Sequence, residues 1–252
     1  MIVATTMKMP RWFVGWVSKR YVAGPNLDGA VDVMKRLQRE GACFTIDVLG
    51  EEISSMQEAE YFLSEYVNVI KAVSDNQLDA NLSIKPTAFG LLIDKKTAMK
   101  NIEELVSLAN KHDMFVRLDM EDHRVTIDTI QVVIDLHEKG LTNVGTVLQG
   151  RLFRTIDDIN QLEKKLKSAA DYRICKGIYL ESESISHTNY SQIVDATNKC
   201  IDQMLDAGAY TAIASHDIPV IEHALSSLKS RNMGPNIVDP RANAAPQRHH
   251  KG

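Results

Sequence analysis

Short apolar runs rich in β-branched residues alternate along the chain with longer stretches in which apolar residues recur every three or four positions. The first pattern predicts buried strands and the second predicts amphipathic helices. Six strand-and-helix units can be distinguished, with strands expected at 43–49, 81–85, 114–120, 143–149, 172–176 and 210–215. Because such alternation is what right-handed crossovers between parallel strands require, we expect one parallel α/β sheet or barrel.

Each predicted helix carries one apolar stripe. In the first, Ser55 and Glu58 have the spacing of a capping box, and the stripe that follows contains Ala59, Phe62, Tyr66, Ile70 and Val73. Later stripes are expected to include Ile127 and Leu225. These patterns predict an N-terminal helical segment at 1–18, one folding unit at 19–231, and a loop at 232–252, where prolines are frequent and apolar periodicity is lost.

Charge and cysteine content exclude several classes of protein. The chain has 29 basic and 33 acidic residues without a long run of one sign, which argues against a nucleic-acid partner. Cys43, Cys175 and Cys200 are odd in number and lack CxxC spacing, so neither a disulfide framework nor a structural zinc site is expected. The apolar run at 12–17 is too short to span a membrane. The expected location is the cytoplasm, with or without peripheral contact at the inner face of the membrane.

Polar and ionisable residues collect where the predicted strands end. In parallel sheets and barrels, ligands bind at the carboxyl ends of the strands, and an unpaired charge within a buried strand is costly. A ring of such residues at the strand ends therefore indicates a functional site. Each residue also has a structural interpretation, as part of an ion pair, as a side chain that fills the barrel interior, or as a capped core histidine. The ring consists of Asp47, Lys85, Asp119, Glu121, Asp122, Gln149, Arg151, Arg173, Lys176, His216 and Asp217.

Two chemistries fit these residue types. Lys85 or Lys176 can form a Schiff base with a carbonyl substrate, as in an aldolase-type lyase. Alternatively, Arg173 and Lys176, beside Gly177, can hold an anionic cofactor, since glycine lets the backbone approach a phosphate closely. Neither GxGxxG nor GxxxxGK[ST] occurs, which gives no support to Rossmann-type or P-loop binding. Position along the strands does not decide between the two.

Six segments in order resemble the strand motifs of the proline dehydrogenases, and the resemblance covers residues 19–231. They are Phe-Thr-Ile-Asp-Val-Leu-Gly-Glu at 44–51, Ser-Ile-Lys-Pro-Thr-Ala-Phe-Gly at 83–90, Val-Arg-Leu-Asp-Met-Glu-Asp at 116–122, Gly-Thr-Val-Leu-Gln at 145–149, Arg-Ile-Cys-Lys-Gly-Ile-Tyr at 173–179 and Ala-Ile-Ala-Ser-His-Asp at 212–217. The resemblance implies a (β/α)8 TIM-type barrel that binds FAD without a Rossmann domain. It also implies oxidation of L-proline to Δ1-pyrroline-5-carboxylate, the first step of proline catabolism to glutamate, with a quinone at the membrane surface as electron acceptor.

The resemblance also assigns roles to individual residues. Catalysis is expected to involve Arg173, Lys85 and Tyr179. Substrate binding is expected to involve Lys85, Asp47, Tyr179 and Ile178. The residues expected to hold FAD are Asp119, Gln149, Arg173, Lys176, Gly177, Ser215, His216 and Asp217, and no metal is expected.

The sequence departs from the family pattern at several positions. Ile178 stands where alanine is usual, Ser215 replaces threonine, Pro86 replaces a common leucine, and Gly150 with Arg151 replaces a frequent Ala-Tyr pair. Two further strands and a final helix with an arginine pair would be expected after Gly252. The expectation at this point is a C-terminally truncated barrel of about six units, with impaired proline oxidation or, alternatively, a catalytically silent fragment.

Overall fold

The computed structural model describes residues 26–233, in which six parallel strands alternate with helices. The strands are β1 (Phe44–Asp47), β2 (Ala80–Ile84), β3 (Val116–Leu118), β4 (Val144–Gln149), β5 (Asp171–Cys175) and β6 (Tyr210–Ile213). The helices are α1 (Leu27–Gln38), α2 (Met56–Asp75), α3 (Lys95–Lys111), α4 (His123–Glu138), α5 (Thr155–Leu166), α6 (Tyr190–Asp206) and α7 (Ile218–Ser230), with 3₁₀ turns at Pro86–Phe89 and Lys167–Ala169. All six predicted strands are confirmed, while the predicted segment at 1–18 and residues 234–252 of the predicted loop lie outside the described residues.

The strands lie in the order β1 to β6, each paired in parallel with the next. Nη1 of Arg173 on β5 lies 3.4 Å from Oγ of Ser83 on β2. A flat sheet would hold those two strands roughly 14 Å apart, three times the interstrand spacing. The sheet is therefore strongly curled, as in a half-barrel, which confirms the predicted parallel TIM-type architecture. Within residues 26–233, β1 and β6 each pair along one side only.

The two faces of the curled sheet differ in chemistry. Residues that alternate along each strand point to opposite faces, so Tyr172 and Ile174 of β5 pack against the helices while Arg173 points to the concave side. The predicted stripe of α2 is confirmed, with all five apolar residues buried. The helices and the convex face thus enclose the apolar core, and the concave face remains polar.

Two residues predicted to face the core are exposed instead. Ile127 and Leu225 are each 62% exposed. Leu225 follows Ala224 by one residue, so it is turned about 100° from the buried face of α7. Ile127 is the fifth residue of α4, one residue beyond the buried Thr126. Only three apolar residues defined each predicted stripe, and so few three-or-four-residue spacings fit more than one face of a helix.

The capping box predicted for α2 forms with a different set of hydrogen bonds. Ser55 is the N-cap residue, but its side chain accepts no hydrogen bond from the helix. Instead, the Glu58 carboxylate accepts hydrogen bonds from the Ser54 amide at 3.3 Å, from Ser54 Oγ at 2.6 Å and from Ser55 Oγ at 3.1 Å. These bonds lower the pKa of Glu58. The helix start is therefore fixed by Glu58 and not by the serine hydroxyl.

No helix between residues 26 and 233 is both long and apolar enough to cross a bilayer.

Candidate active site

Four side chains of alternating charge meet on the concave face: Asp47 ends β1, Lys85 and Asp119 directly follow β2 and β3, and Arg173 lies in the middle of β5. Lys85 Nζ lies 2.7 Å from Asp47 Oδ2 and 3.9 Å from Asp119 Oδ2. Arg173 Nη1 lies 3.7 Å from Asp119 Oδ1. Pro86 disfavours a helical backbone at Lys85, and the lysine accordingly remains extended (φ −97°, ψ 117°) at the end of β2. We call Asp47, Lys85, Asp119 and Arg173 the charged cluster.

Uncharged groups on α2 and β2 hold the charged cluster in place. Ser83 Oγ donates to Asp119 Oδ1 at 2.6 Å and accepts from Arg173 at 3.4 Å. The buried Tyr66 hydroxyl donates to the Ser83 carbonyl oxygen at 2.7 Å, accepts from the Val48 amide at 3.1 Å and lies 3.1 Å from Asp47 Oδ1. Both carboxylates therefore have fixed neighbours besides Lys85.

The charges of the cluster oppose the effect of burial on its pKa values. Burial lowers the pKa of Lys85, but the hydrogen bond and charge of Asp47 and the charge of Asp119 outweigh it, so the net pKa is raised. Burial raises the pKa of Asp119 despite the Ser83 hydrogen bond and the two nearby cations. A lysine held protonated is a poor nucleophile, because Schiff-base lysines need a lowered pKa. The lyase alternative thus finds no support at Lys85.

Gln149 presents an unused acceptor beside a glycine. Its side chain is buried at 2% exposure, and Nε2 donates to the carbonyl oxygens of Met120 at 3.3 Å and Glu121 at 2.7 Å. Oε1 has no hydrogen-bond partner among the described residues. Gly177 has a φ of +99°, and a Cβ there would come 2.6 Å from Oε1. The amide oxygen and the bare glycine backbone therefore form a small cradle that lacks a donor.

A second group of predicted residues gathers between β5 and α7. Lys176 Nζ lies 2.5 Å from Asp217 Oδ2, and the Tyr190 hydroxyl donates to Asp217 Oδ1 at 2.8 Å. These two hydrogen bonds lower the pKa of Asp217. Ser215 Oγ accepts from the Asp217 amide at 3.1 Å, and His216 beside it is exposed. Lys176, Ser215 and Asp217 are thus brought together, while His216 stands at their edge.

Tyr179 and Ile178 belong to the loop between β5 and α6. The Tyr179 hydroxyl donates to Glu51 Oε2 at 3.2 Å, across the open end of the sheet. Burial, followed by the charges of Glu51 and Glu121, raises the pKa of Tyr179. Ile178 is 85% exposed within the described residues. Tyr179 therefore spans the mouth of the site, and Ile178 makes little contact with the rest of the described chain.

Two acidic residues of the predicted ring stand outside the charged cluster. Glu121 accepts hydrogen bonds from the amide of Thr87, at 2.9 Å, and from its hydroxyl, and burial raises its pKa. Asp122 is the N-cap of α4 and pairs with Arg124. Both fix the connections after β2 and β3. Among residues 26–233, no set of His, Cys, Asp and Glu side chains is arranged to hold a metal ion.

Sequence reasoning missed Ser83, Tyr66 and Glu51. Ser83 precedes Lys85 by two residues, so strand alternation already puts both on one face. Tyr66 was assigned only to the apolar stripe of α2, although a buried tyrosine hydroxyl usually finds a partner. Glu51 lies in a loop with no periodicity, and no signal in the sequence indicated its contact with Tyr179.

The family model described as proline dehydrogenase matches residues 30–238. The chain belongs to the proline dehydrogenase family. It is 34% identical over 205 residues to Proline dehydrogenase 1 of Bacillus subtilis subsp. natto, an alignment that covers 81% of this chain and 67% of that protein. It is 28% identical over 222 residues to a proline dehydrogenase of Deinococcus radiodurans, covering 86% and 71% respectively. The aligned part of the chain thus spans about two thirds of the length of these relatives.

Solved structures agree in fold. Proline utilization A from Bdellovibrio bacteriovorus, inactivated by N-propargylglycine, superposes with a TM-score of 0.79 at 20% identity, covering 87% of this chain and 28% of that chain. A proline utilization A mutant from Bradyrhizobium japonicum gives a TM-score of 0.67 at 16% identity, covering 82% and 24%. At this level of identity the likeness supports the fold of the proline dehydrogenase family.

Proposed function

We propose that the protein oxidises L-proline to Δ1-pyrroline-5-carboxylate with FAD as cofactor, in the first step of proline catabolism. The observation that carries the proposal is the charged cluster, in which a protonated Lys85 and Arg173 lie together at the carboxyl end of a parallel sheet. A secondary amino acid presents a carboxylate, for which the protonated Lys85 is a suitable partner. Family membership supplies the choice of proline.

The cradle formed by Gln149 and Gly177 supports a flavin cofactor. A flavin ring carries both hydrogen-bond donors and acceptors on its edge, and Gln149 Oε1 is a buried acceptor without a donor among the described residues. The absence of a Cβ at Gly177 leaves space directly above this oxygen. FAD, once bound, supplies the acceptor for the hydride that leaves proline. We assign its binding to Asp119, Gln149, Arg173, Lys176, Gly177, Ser215, His216 and Asp217.

Lys176 fits a diphosphate only in part. Its ammonium group has three donors, and Asp217 Oδ2 accepts one of them at 2.5 Å. The remaining donors are available to a phosphate oxygen, and the exposed His216 lies on the same connection. Asp217 then holds Lys176 in position and partly offsets its charge. This end of the site therefore suits a phosphate group that is oriented by hydrogen bonds and only weakly attracted by net charge.

The roles of the remaining residues follow from charge and position. Lys85 binds the proline carboxylate, since it is protonated and Asp47 occupies only one of its donors. Tyr179, on the loop between β5 and α6, closes the open end of the site. Asp47 borders the substrate and holds Lys85 by an ion pair. Ile178 follows Gly177 directly and is proposed to limit the size of the substrate ring. Arg173 stabilises negative charge that develops as the hydride is transferred.

The proposal is tested by anaerobic stopped-flow reduction of the purified protein with L-proline, followed as loss of flavin absorbance. We expect a yellow protein with non-covalently bound FAD. Arg173→Ala should slow reduction about 100-fold, the usual effect of losing one preorganised electrostatic group. Arg154→Ala is the control, because Arg154 pairs with Asp158 of its own helix and lies outside the charged cluster. A folded protein without flavin, or flavin that proline does not reduce, contradicts the proposal.

A quinone as electron acceptor rests on family membership alone. We propose it as the second substrate, reached at a membrane surface. Steady-state turnover with proline and a water-soluble quinone, compared with turnover under oxygen alone, tests it. Equal rates in the two assays contradict a quinone-specific acceptor site.

A further inference from the structure

Arg151 is a buried arginine that contacts the β5–α6 loop at three places. Nη1 donates to the Tyr179 carbonyl oxygen at 2.7 Å, and Nη2 donates to the His187 carbonyl oxygen at 3.4 Å. The Arg151 amide donates to the Lys176 carbonyl oxygen at 3.0 Å, and its own carbonyl oxygen accepts from the His187 amide at 2.8 Å. One residue thus connects the beginning of the loop, at Lys176 and Tyr179, with its end at His187. We call residues 176–189 the β5–α6 loop.

The aliphatic part of Arg151 also packs against Gly177. A Cβ on Gly177 would lie 2.7 Å from Cδ and 2.9 Å from Cγ of Arg151, and 2.6 Å from Gln149 Oε1. The glycine backbone is therefore enclosed between the arginine stem and the unused acceptor of Gln149. A shift of Arg151 would change the spacing of this cradle.

The guanidinium group of Arg151 has no carboxylate within ion-pairing distance among residues 26–233. The residue is only 8% exposed, and its guanidinium group donates to main-chain carbonyl oxygens. A buried cation is tolerated only when hydrogen bonds compensate for lost hydration. Because the compensating carbonyl groups all belong to the β5–α6 loop, the loop and the arginine fix each other.

We propose that Arg151 is a positioning residue that holds the β5–α6 loop over the site. Through Tyr179 it sets the position of the side chain that reaches Glu51, and through Gly177 it sets the space above Gln149 Oε1. The first effect governs the KM for proline and the second governs retention of the cofactor. The kinetic part rests on the proposed function, whereas the effect on the loop does not.

Hydrogen exchange of the full protein, with its cofactor as purified, tests the effect on the loop. Arg151→Met keeps the stem and removes the guanidinium group, so amides at 176–189 should exchange about 10-fold faster, with other regions unchanged. Arg151→Lys should give an intermediate rate, since an ammonium group cannot span both carbonyl groups as the planar fork does. Lys165→Met is the control, because Lys165 lies outside the loop, pairs with Glu138 on α4, and both side chains are more than half exposed.

Steady-state kinetics give the second readout. Arg151→Met should raise the KM for proline about 10-fold while changing kcat less, because the Arg151 guanidinium bonds to the loop and not to the charged cluster. Arg151→Lys should recover part of the KM. If Arg151→Met does not fold, Arg151→Lys serves for both the hydrogen-exchange and the kinetic measurements.

The outcomes separate the two proposals. Loop exchange that is unchanged in every folded Arg151 variant overturns the positioning role, as does faster exchange throughout the protein. A wild-type protein that proline does not reduce overturns the proposed function, while the loop exchange still decides the role of Arg151.

Discussion

Gly177 and Gln149 illustrate how single residues shape the site. Gly177 needs a positive φ and the space that a Cβ would fill, and both requirements come from its neighbours Gln149 and Arg151. Sequence position sufficed to predict that Gly177, Gln149 and the charged cluster gather at one end of the sheet, because strand ends of parallel sheets converge. It did not predict the 85% exposure of Ile178, since a loop has no periodicity that tells which way a side chain points.

Gly177→Ala should destabilise the protein and weaken cofactor retention. The added methyl group would meet Gln149 Oε1 and Arg151 Cδ within 2.7 Å, and alanine is strained at φ +99°. We expect a loss of about 1–3 kcal/mol in the free energy of unfolding, measured by urea denaturation.

Gly140→Ala is the control that separates backbone strain from the steric clash expected at residue 177. Gly140 has a φ of +85°, but a Cβ there meets nothing within 4 Å. It should therefore show the backbone strain alone and keep the flavin. Equal losses of stability and of flavin in both variants would show that the cradle tolerates a methyl group.

Asp119→Asn should make the protein more stable at neutral pH. Burial raises the folded pKa of Asp119 above its unfolded value, so the folded state favours the protonated form. The stability linked to this group is complete below the unfolded pKa, about 3.9, and is lost as pH rises through the folded pKa. Asparagine avoids that loss while still accepting from Ser83. Urea midpoints should show a gain at pH 7 that shrinks towards pH 4.

Asp94→Asn is the control for Asp119→Asn, because the pKa of Asp94 is shifted in the opposite direction. Hydrogen bonds from Thr97 lower the pKa of Asp94, so its contribution is present above the unfolded pKa and lost as pH falls through the folded pKa. Asp94→Asn should therefore lose stability at pH 7 and approach the wild type at low pH. If the two variants shift in the same direction, the burial of Asp119 does not govern its effect.

At the scale of elements, α2 connects β1 and β2 through Tyr66. The apolar stripe of this helix was predicted correctly, since a long amphipathic helix repeats its signal over several turns. Its start was predicted less well, because Ser54 and Ser55 both suit the cap and only the fold decides how Glu58 uses them. Strand limits were also predicted too wide, by up to four residues in β3. Pairing with neighbours sets those limits.

Tyr66→Phe should cost about 1–3 kcal/mol in the free energy of unfolding, the usual penalty for leaving buried polar groups unpaired. It would remove the partner of the Ser83 carbonyl oxygen and of the Val48 amide. Asp47 would also lose a neighbour, so the KM for proline should rise. Tyr61→Phe, on the exposed side of the same helix, should leave both quantities unchanged. A Tyr66→Phe variant as stable as Tyr61→Phe would contradict this role of α2.

For the molecule as a whole, a polar concave face is what distinguishes this sheet from an ordinary buried one. Below the charged cluster, Arg117 Nη2 on β3 pairs with Asp171 Oδ1 on β5 at 2.6 Å, and both residues are buried. The pair crosses β4 at Gly145, where a Cβ would lie 2.4 Å from the Asp171 carbonyl oxygen. The six-unit alternation predicted the sheet, but not this pair, because it depends on how tightly the sheet curls.

Arg117→Met should lower the free energy of unfolding by about 3–5 kcal/mol, because it removes one partner of a buried ion pair. The double variant Arg117→Met with Asp171→Leu should recover most of this loss, since neither charge then remains in the interior. Lys165→Met is the control, because Lys165 pairs with Glu138 at 3.0 Å and both side chains are more than half exposed. It should change stability by less than about 1 kcal/mol. Urea denaturation of the three variants measures the differences. If the double variant is no more stable than Arg117→Met alone, the loss stems from packing in the curled sheet and not from breaking the buried ion pair.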